Sequence, residues 1–95
     1  MNNLGLRIRE LREQQNLLLR QVAAFLEIDT ALLSKIERGE RKPSKQQLFK
    51  MADFLKANSE EFLTLWLADK IETTIAEEPT VAYNAMKIAS KKLEP

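Results

Sequence analysis

Between Leu19 and Glu37 two short apolar stripes of helical period lie almost end to end. Val22, Ala23 and Leu26 make one and Leu33 and Ile36 the other, with Glu27-Ile28 and Asp29 at the junction. The spacing predicts a helix from Leu19 to about Leu26, then a second one, N-capped by Asp29, that runs to about Glu37. A connection this short makes the two helices meet across a tight turn. The turn lacks glycine, and a left-handed backbone at Glu27 is mildly unfavourable.

The rest of the chain is also patterned for helices. Leu4, Ile8 and Leu11 recur at i, i+4 and i+7, which predicts a first helix from about Leu4 to Gln15 with Arg7, Arg9, Glu10, Arg12 and Glu13 on its other faces. Gly39 stands at a left-handed C-cap position after the Leu33–Ile36 helix, and Arg38 to Pro43 reads as a basic loop. Ser44 with Gln47 is a capping-box signature for a helix from Lys45 to about Lys56 that buries Leu48, Met51, Ala52 and Leu55. Asn58 with Glu61 is another, opening a helix at about Ser59 that continues to Glu78, before Pro79. That helix bears two stripes: Phe62, Leu65 and Trp66, and Leu63, Leu67, Ile71 and Ile75. A last segment, Val81 to about Leu93, carries Ala82, Ala85, Met86, Ala89 and Leu93. Two glycines in 95 residues leave few tight turns, which disfavours an all-β fold. The expected class is all-α.

Composition excludes several chemistries. With no Cys there is no disulfide framework, thiolate metal site or cysteine nucleophile. With no His the commonest metal ligand and acid–base group are missing, and so is any His-dependent serine triad. No cofactor, metal or enzymatic activity is expected. No apolar run approaches the roughly 18 residues that span a bilayer, and the N-terminus lacks a signal-peptide layout, so the expectation is a soluble, cytoplasmic protein without membrane contact. The formal charge of +1 conceals an asymmetry. Residues 1–50 carry ten Lys/Arg against six Asp/Glu, and residues 51–95 carry five against eight. The surplus is densest at residues 35–50, where six Lys/Arg face two acids. One end is suited to a polyanion and the other is not.

Two eight-residue helices joined by a tight turn are what a helix-turn-helix requires, the second lying in the major groove of DNA. Three stretches make the resemblance specific: Gly5-Leu6-Arg7-Ile8-Arg9-Glu10-Leu11-Arg12-Glu13; Val22-Ala23 with Leu26-Glu27-Ile28; and Leu33-Ser34-Lys35-Ile36-Glu37-Arg38-Gly39-Glu40-Arg41-Lys42-Pro43-Ser44. Together they resemble the phage-repressor (Xre/Cro-type) helix-turn-helix family, including small stand-alone regulators such as restriction–modification controllers. The resemblance covers residues 4–66 and implies a five-helix DNA-binding domain, usually dimeric on a palindrome. Residues 67–95 then form a C-terminal helical extension.

Carried over residue by residue, the resemblance places base reading at Thr30, Ala31, Leu32, Ser34 and Lys35. Lys35 can donate to guanine, Thr30 and Ser34 can hydrogen-bond several bases, and Ala31 and Leu32 offer apolar contact to thymine methyls. Three alternatives stand beside these roles: packing within the domain for Leu32, a phosphate contact or free solvation for Lys35, and a helix-start role for Thr30. The resemblance lays Arg38, Arg41, Lys42, Ser44 and Lys45 along phosphates, which would make binding steeply salt-dependent. The sequence departs from the family at the start of the second helix, where Leu18 and Leu19 replace a polar cap and a phosphate-binding Gln; either Arg20 or Gln21 substitutes, or Leu18 and Leu19 pack against another surface. The resemblance also implies a partly buried ion pair between Arg12 and Glu37.

The acidic extension is not suited to DNA. Its stripe of Leu63, Leu67, Ile71 and Ile75, joined by Met86 and Leu93, is expected to be a homodimer seam that sets two reading helices roughly 34 Å apart. The alternative is a last helix folded back on its own subunit. Trp66 and Tyr83 are expected in packing rather than in a ligand cage. The expected function is a sequence-specific transcriptional regulator whose partners are double-stranded DNA and a second copy of itself. The alternative is an antitoxin-type interaction protein that represses its own promoter and holds a protein partner through its C-terminal helices.

Overall fold

The computed structural model describes residues 2–94 and contains six helices and no strand among them. They are α1 (Asn3–Gln14), α2 (Leu19–Leu26), α3 (Thr30–Glu37), α4 (Lys45–Phe54), α5 (Ser59–Ala76) and α6 (Ala82–Lys91). The first five converge on one core, to which α1 sends Leu4 and Ile8, α2 sends Val22, Ala23 and Leu26, α3 sends Leu33 and Ile36, α4 sends Leu48, Met51 and Ala52, and α5 sends Phe62. Leu55, just past α4, completes it. Each large side chain withdrawn from water contributes roughly 1.5–3 kcal/mol, so all five helices contribute to the stability of this core.

Four helices stop in the same way. After α1 the Asn16 and Leu17 amides donate to the Glu13 and Arg12 carbonyls, and after α2 the Glu27 and Ile28 amides donate to Ala24 and Ala23. Gly39 and Glu40 repeat the pattern on Ile36 and Lys35 after α3, as do Lys56 and Ala57 on Asp53 and Ala52 after α4. This paired closure needs one left-handed residue at each end. Asn16, Glu27, Lys56 and Gly39 supply it, with φ of 57°, 58°, 59° and 78°. Three of the four therefore accept a strained backbone without glycine. The residues that follow them, Leu17, Ile28 and Ala57, pack against the core and offset that strain. Lys56 thus lies outside α4, whose helical residues end at Phe54, short of the expected boundary.

Helix starts differ in how they are closed. Ser44 and Gln47 exchange both capping hydrogen bonds, at 3.1 and 3.0 Å. The Asn58 side chain accepts from the amides of Glu60 and Glu61, while Glu61 itself turns towards Arg7, 3.5 Å away. Asp29 occupies the N-cap of α3 in extended conformation, but its carboxylate makes no capping bond, contrary to expectation.

The division at residues 66 and 67 falls inside α5, which continues without a break to Ala76. Beyond that point Asp69 is buried and accepts from the Asn3 and Leu4 amides at 2.8 and 3.1 Å, closing the N-terminus of α1 from a distant helix. The Asn3 side-chain amide also donates to Asp69 and to Glu72, both at 2.9 Å. Helix α6 buries none of its residues and packs on α5. No helix among the described residues is long and apolar enough to cross a membrane.

Candidate DNA-binding surface

Helix α3 buries Leu33, Ile36 and Glu37, which leaves Thr30, Ala31 and Lys35 exposed on its outer face and Ser34 half-buried at the edge. Leu32 is half-buried and packs against the core, so only part of its side chain is free for a partner. Of the five positions expected to read bases, three are fully exposed, and Ser34 and Leu32 are half-buried.

What fixes α3 is its C-terminal end. Arg12 donates to Glu37 through Nε at 2.6 Å and through Nη2 at 3.0 Å, and its Nη1 donates to the Leu17 carbonyl at 2.9 Å. Both side chains are nearly enclosed, 12% and 6% exposed. The bidentate hydrogen bond to Glu37 raises the Arg12 pKa, so the guanidinium is permanently charged. This is the pair that the resemblance implied. From the other side the Asn2 amide donates to the Glu37 carbonyl at 2.6 Å, while Asn2 Oδ1 accepts from the Gly5 amide. Gly5 allows that approach, because a Cβ there would sit 2.5 and 2.6 Å from the carbonyl oxygens of Ile36 and Glu37.

The loop from Arg38 to Ser44 is held at its far end too. Pro43 is buried, and its carbonyl accepts from Trp66 Nε1 at 2.9 Å. Arg41 and Lys42 are exposed between the two fastenings. Lys45 leans over the Trp66 ring, 5.7 Å from its centroid, and Lys70 covers it at 4.6 Å. The Ser44 hydroxyl oxygen accepts from Gln47, which leaves its proton and the first amides of α4 to meet an anion.

At the start of α2 Arg20 and Gln21 are exposed. Gln21 Oε1 accepts from the Leu18 amide at 2.7 Å. Leucine has no atom with which to return that bond, so the cap is one-sided and the Gln21 NH2 group is left over as a donor. Arg38 is already engaged: Nε donates to Glu40 at 2.6 Å and Nη1 to Ser34 Oγ at 2.7 Å. The hydrogen bond between them raises the Arg38 pKa and lowers that of Glu40.

Of the expected seam, Leu67 and Ile71 are exposed, Ile75 and Met86 are half-buried and Leu93 is almost fully exposed. Leu63 is the exception. It packs against the domain core, because it lies on the turn of α5 that also delivers Phe62 to the interior. Three residues that fasten this surface, Asn2, Trp66 and Asp69, have no part in it by sequence reasoning. Only Trp66 carries a usable signal, since a half-buried indole N–H needs an acceptor.

A helix-turn-helix whose second helix is braced at its end and followed by a fastened basic loop fits the class of DNA-binding transcriptional regulators, to which the family match assigns the protein. The model of the family described as helix-turn-helix matches residues 8–62, more than half of the chain. The chain belongs to the Xre-type helix-turn-helix family. Among solved structures the clp gene regulator ClgR from Corynebacterium glutamicum is similar, at 21% identity and a TM-score of 0.63, with 87% of this chain and 90% of that chain covered. At that identity the likeness is one of fold. No curated protein matches the sequence.

Proposed function

We propose that this chain binds a palindromic operator in double-stranded DNA as a homodimer, with α3 in the major groove and the Arg38–Ser44 loop on the flanking phosphates. The observation that carries this reading is the exposed face of α3 continuing directly into a basic loop anchored at both ends. Thr30, Ser34 and Lys35 supply hydrogen bonds to base edges, and Ala31 with the free edge of Leu32 supplies apolar contact to thymine methyls. Arg20, Gln21, Arg38, Arg41, Lys42, Ser44 and Lys45 position the domain on phosphates without reading sequence. Leu67 and Ile71, with Ile75, Met86 and Leu93 beside them, form the dimer seam; Leu63 contributes little because the core holds it. The role of ClgR as a gene regulator agrees with a transcriptional role for this chain.

Selection of bound fragments from a random duplex pool tests the proposal directly. The expected product is an inverted repeat whose half-sites lie about one helical turn, or a multiple of it, apart. Enrichment of a single unrepeated half-site removes the dimer, and enrichment of nothing removes DNA reading altogether.

The phosphate role has its own measurement. Replacing Arg41 and Lys42 together with Ala should weaken binding to operator and random duplex alike. The slope of log K against log salt should fall by about 0.9 for each phosphate that is no longer neutralised. An unchanged slope contradicts the phosphate role.

A further inference from the structure

The left-handed turn at Gly39 folds the chain back over the last turn of α3, where the Glu40 amide donates to the Lys35 carbonyl at 2.9 Å. That places the one unburied acid of residues 35–45 on the basic face. Its carboxylate accepts from Arg38 Nε at 2.6 Å, and the same guanidinium donates through Nη1 to Ser34 Oγ at 2.7 Å. Lys35 is also near enough to favour the ionised form of Glu40. One acid therefore occupies the cation at the end of the reading helix and, through it, a hydroxyl of the reading face.

We propose that Glu40 is an internal substitute for a DNA phosphate, holding Arg38 and Ser34 in a clasp that an incoming phosphate must open, so that Glu40 limits affinity for DNA of any sequence. The inference rests on the DNA-binding reading above. A carboxylate and a phosphate offer a guanidinium the same paired acceptors. The exchange is feasible because the pair is open to water, with Arg38 and Glu40 side chains 55% and 54% exposed. Exposed pairs of this kind are held weakly, unlike the enclosed Arg12–Glu37 pair, which no ligand can enter. When Arg38 turns to a phosphate, Ser34 loses its donor and its hydroxyl becomes available to a base. Random DNA provides the phosphate as well as an operator does, so the cost of opening the clasp falls on both alike.

The experiment measures binding of the full-length chain to a random-sequence duplex of about three helical turns by fluorescence anisotropy across salt concentrations, for wild type, Glu40→Gln, Arg38→Gln and the double variant. All substituted positions are exposed, and thermal melts confirm that each variant folds. Glu40→Gln should tighten binding about two- to five-fold, the range expected for release of an exposed pair. The salt slope should stay close to that of wild type, because Arg38 reaches a phosphate in both complexes and only the cost of freeing it changes. In the Arg38→Gln background the same substitution should leave the slope unchanged and most of the gain should vanish. Equal gains in both backgrounds overturn the clasp and leave plain repulsion between Glu40 and DNA. No gain in either background overturns it outright. If wild type fails to bind any duplex, the DNA-binding reading fails and the clasp with it, a result distinct from both others.

Discussion

Arg12→Met should lower the stability of the folded chain by about 3–5 kcal/mol, because it leaves the Glu37 carboxylate enclosed without its partner. For a chain of this size the loss corresponds to a fall in Tm of more than about 10 °C. Two hydrogen bonds to Glu37 and a third to the Leu17 carbonyl disappear together. An uncompensated buried charge outweighs the apolar contact that Met would restore. Glu37→Leu should damage the fold in the same way, with the guanidinium now the orphan. The pair Arg12→Met with Glu37→Leu separates the two parts of the effect. Replacing a whole buried ion pair with apolar side chains is often nearly neutral, so most of the loss should return. A residue of about 1 kcal/mol should persist, because the Leu17 carbonyl still lacks its donor. If the double variant melts no higher than either single one, burial of an unpaired charge is not the cause.

The same substitution bears on DNA reading through geometry. Glu37 closes α3, and the turn that carries Arg38 to Ser44 begins there. With Arg12 gone, the Asn2 contact to the Glu37 carbonyl still fastens that end to the start of the chain.

The core was legible because it is periodic. Val22, Ala23, Leu26, Leu33 and Ile36 recur at helical spacing, and the structure buries all five. Helix starts with a polar residue followed three places on by a partner were legible too, as Ser44 and Gln47 show. Helix ends were less so. Gly39 announced a left-handed residue and the short turn pointed to one at Glu27, whereas Asn16 and Lys56 adopt the same conformation for reasons that lie in packing. Contacts between segments far apart in sequence leave no periodic trace. Asn2 reaches Glu37 across 35 positions, Trp66 reaches Pro43 across 23 and Asn3 reaches Asp69 across 66. The Arg12–Glu37 pair was accessible only through resemblance, since nothing in the spacing of two charged residues 25 apart distinguishes a buried pair from two solvated ones. Similarly, Arg38 reads as a phosphate ligand in the sequence, and its engagement with Glu40 becomes visible only when the Gly39 turn brings the two together.

Replacing Leu67 and Ile71 together with Glu should convert the proposed dimer to a monomer and weaken binding to the selected operator by at least about 100-fold. The two residues are one turn apart on α5, 51% and 38% exposed. Beyond them, Ile75, Ala76, Pro79 and Ala82 line an open, largely apolar groove between the end of α5 and the start of α6. Helix α6 then adds exposed Tyr83 and Ile88, and Leu93 follows just past its end. In the proposed dimer, two-fold repetition would bury the same residues on both copies. Two glutamates per subunit at the centre of such a seam bring like charges together out of water, a penalty that small gains at its edge cannot offset. The effect on DNA binding exceeds that of any single contact, because a dimer engages its second half-site as an intramolecular event and gains roughly 10²–10⁴-fold by that linkage. Binding to an isolated half-site should scarcely change. The folded monomer should also melt within about 0.5 kcal/mol of wild type measured below the dimer's dissociation constant, since exposed helical positions tolerate charge. Sedimentation velocity is the deciding measurement. A variant that still sediments as a dimer places the seam elsewhere, and a monomer that keeps full operator affinity shows that the two half-sites are not read together.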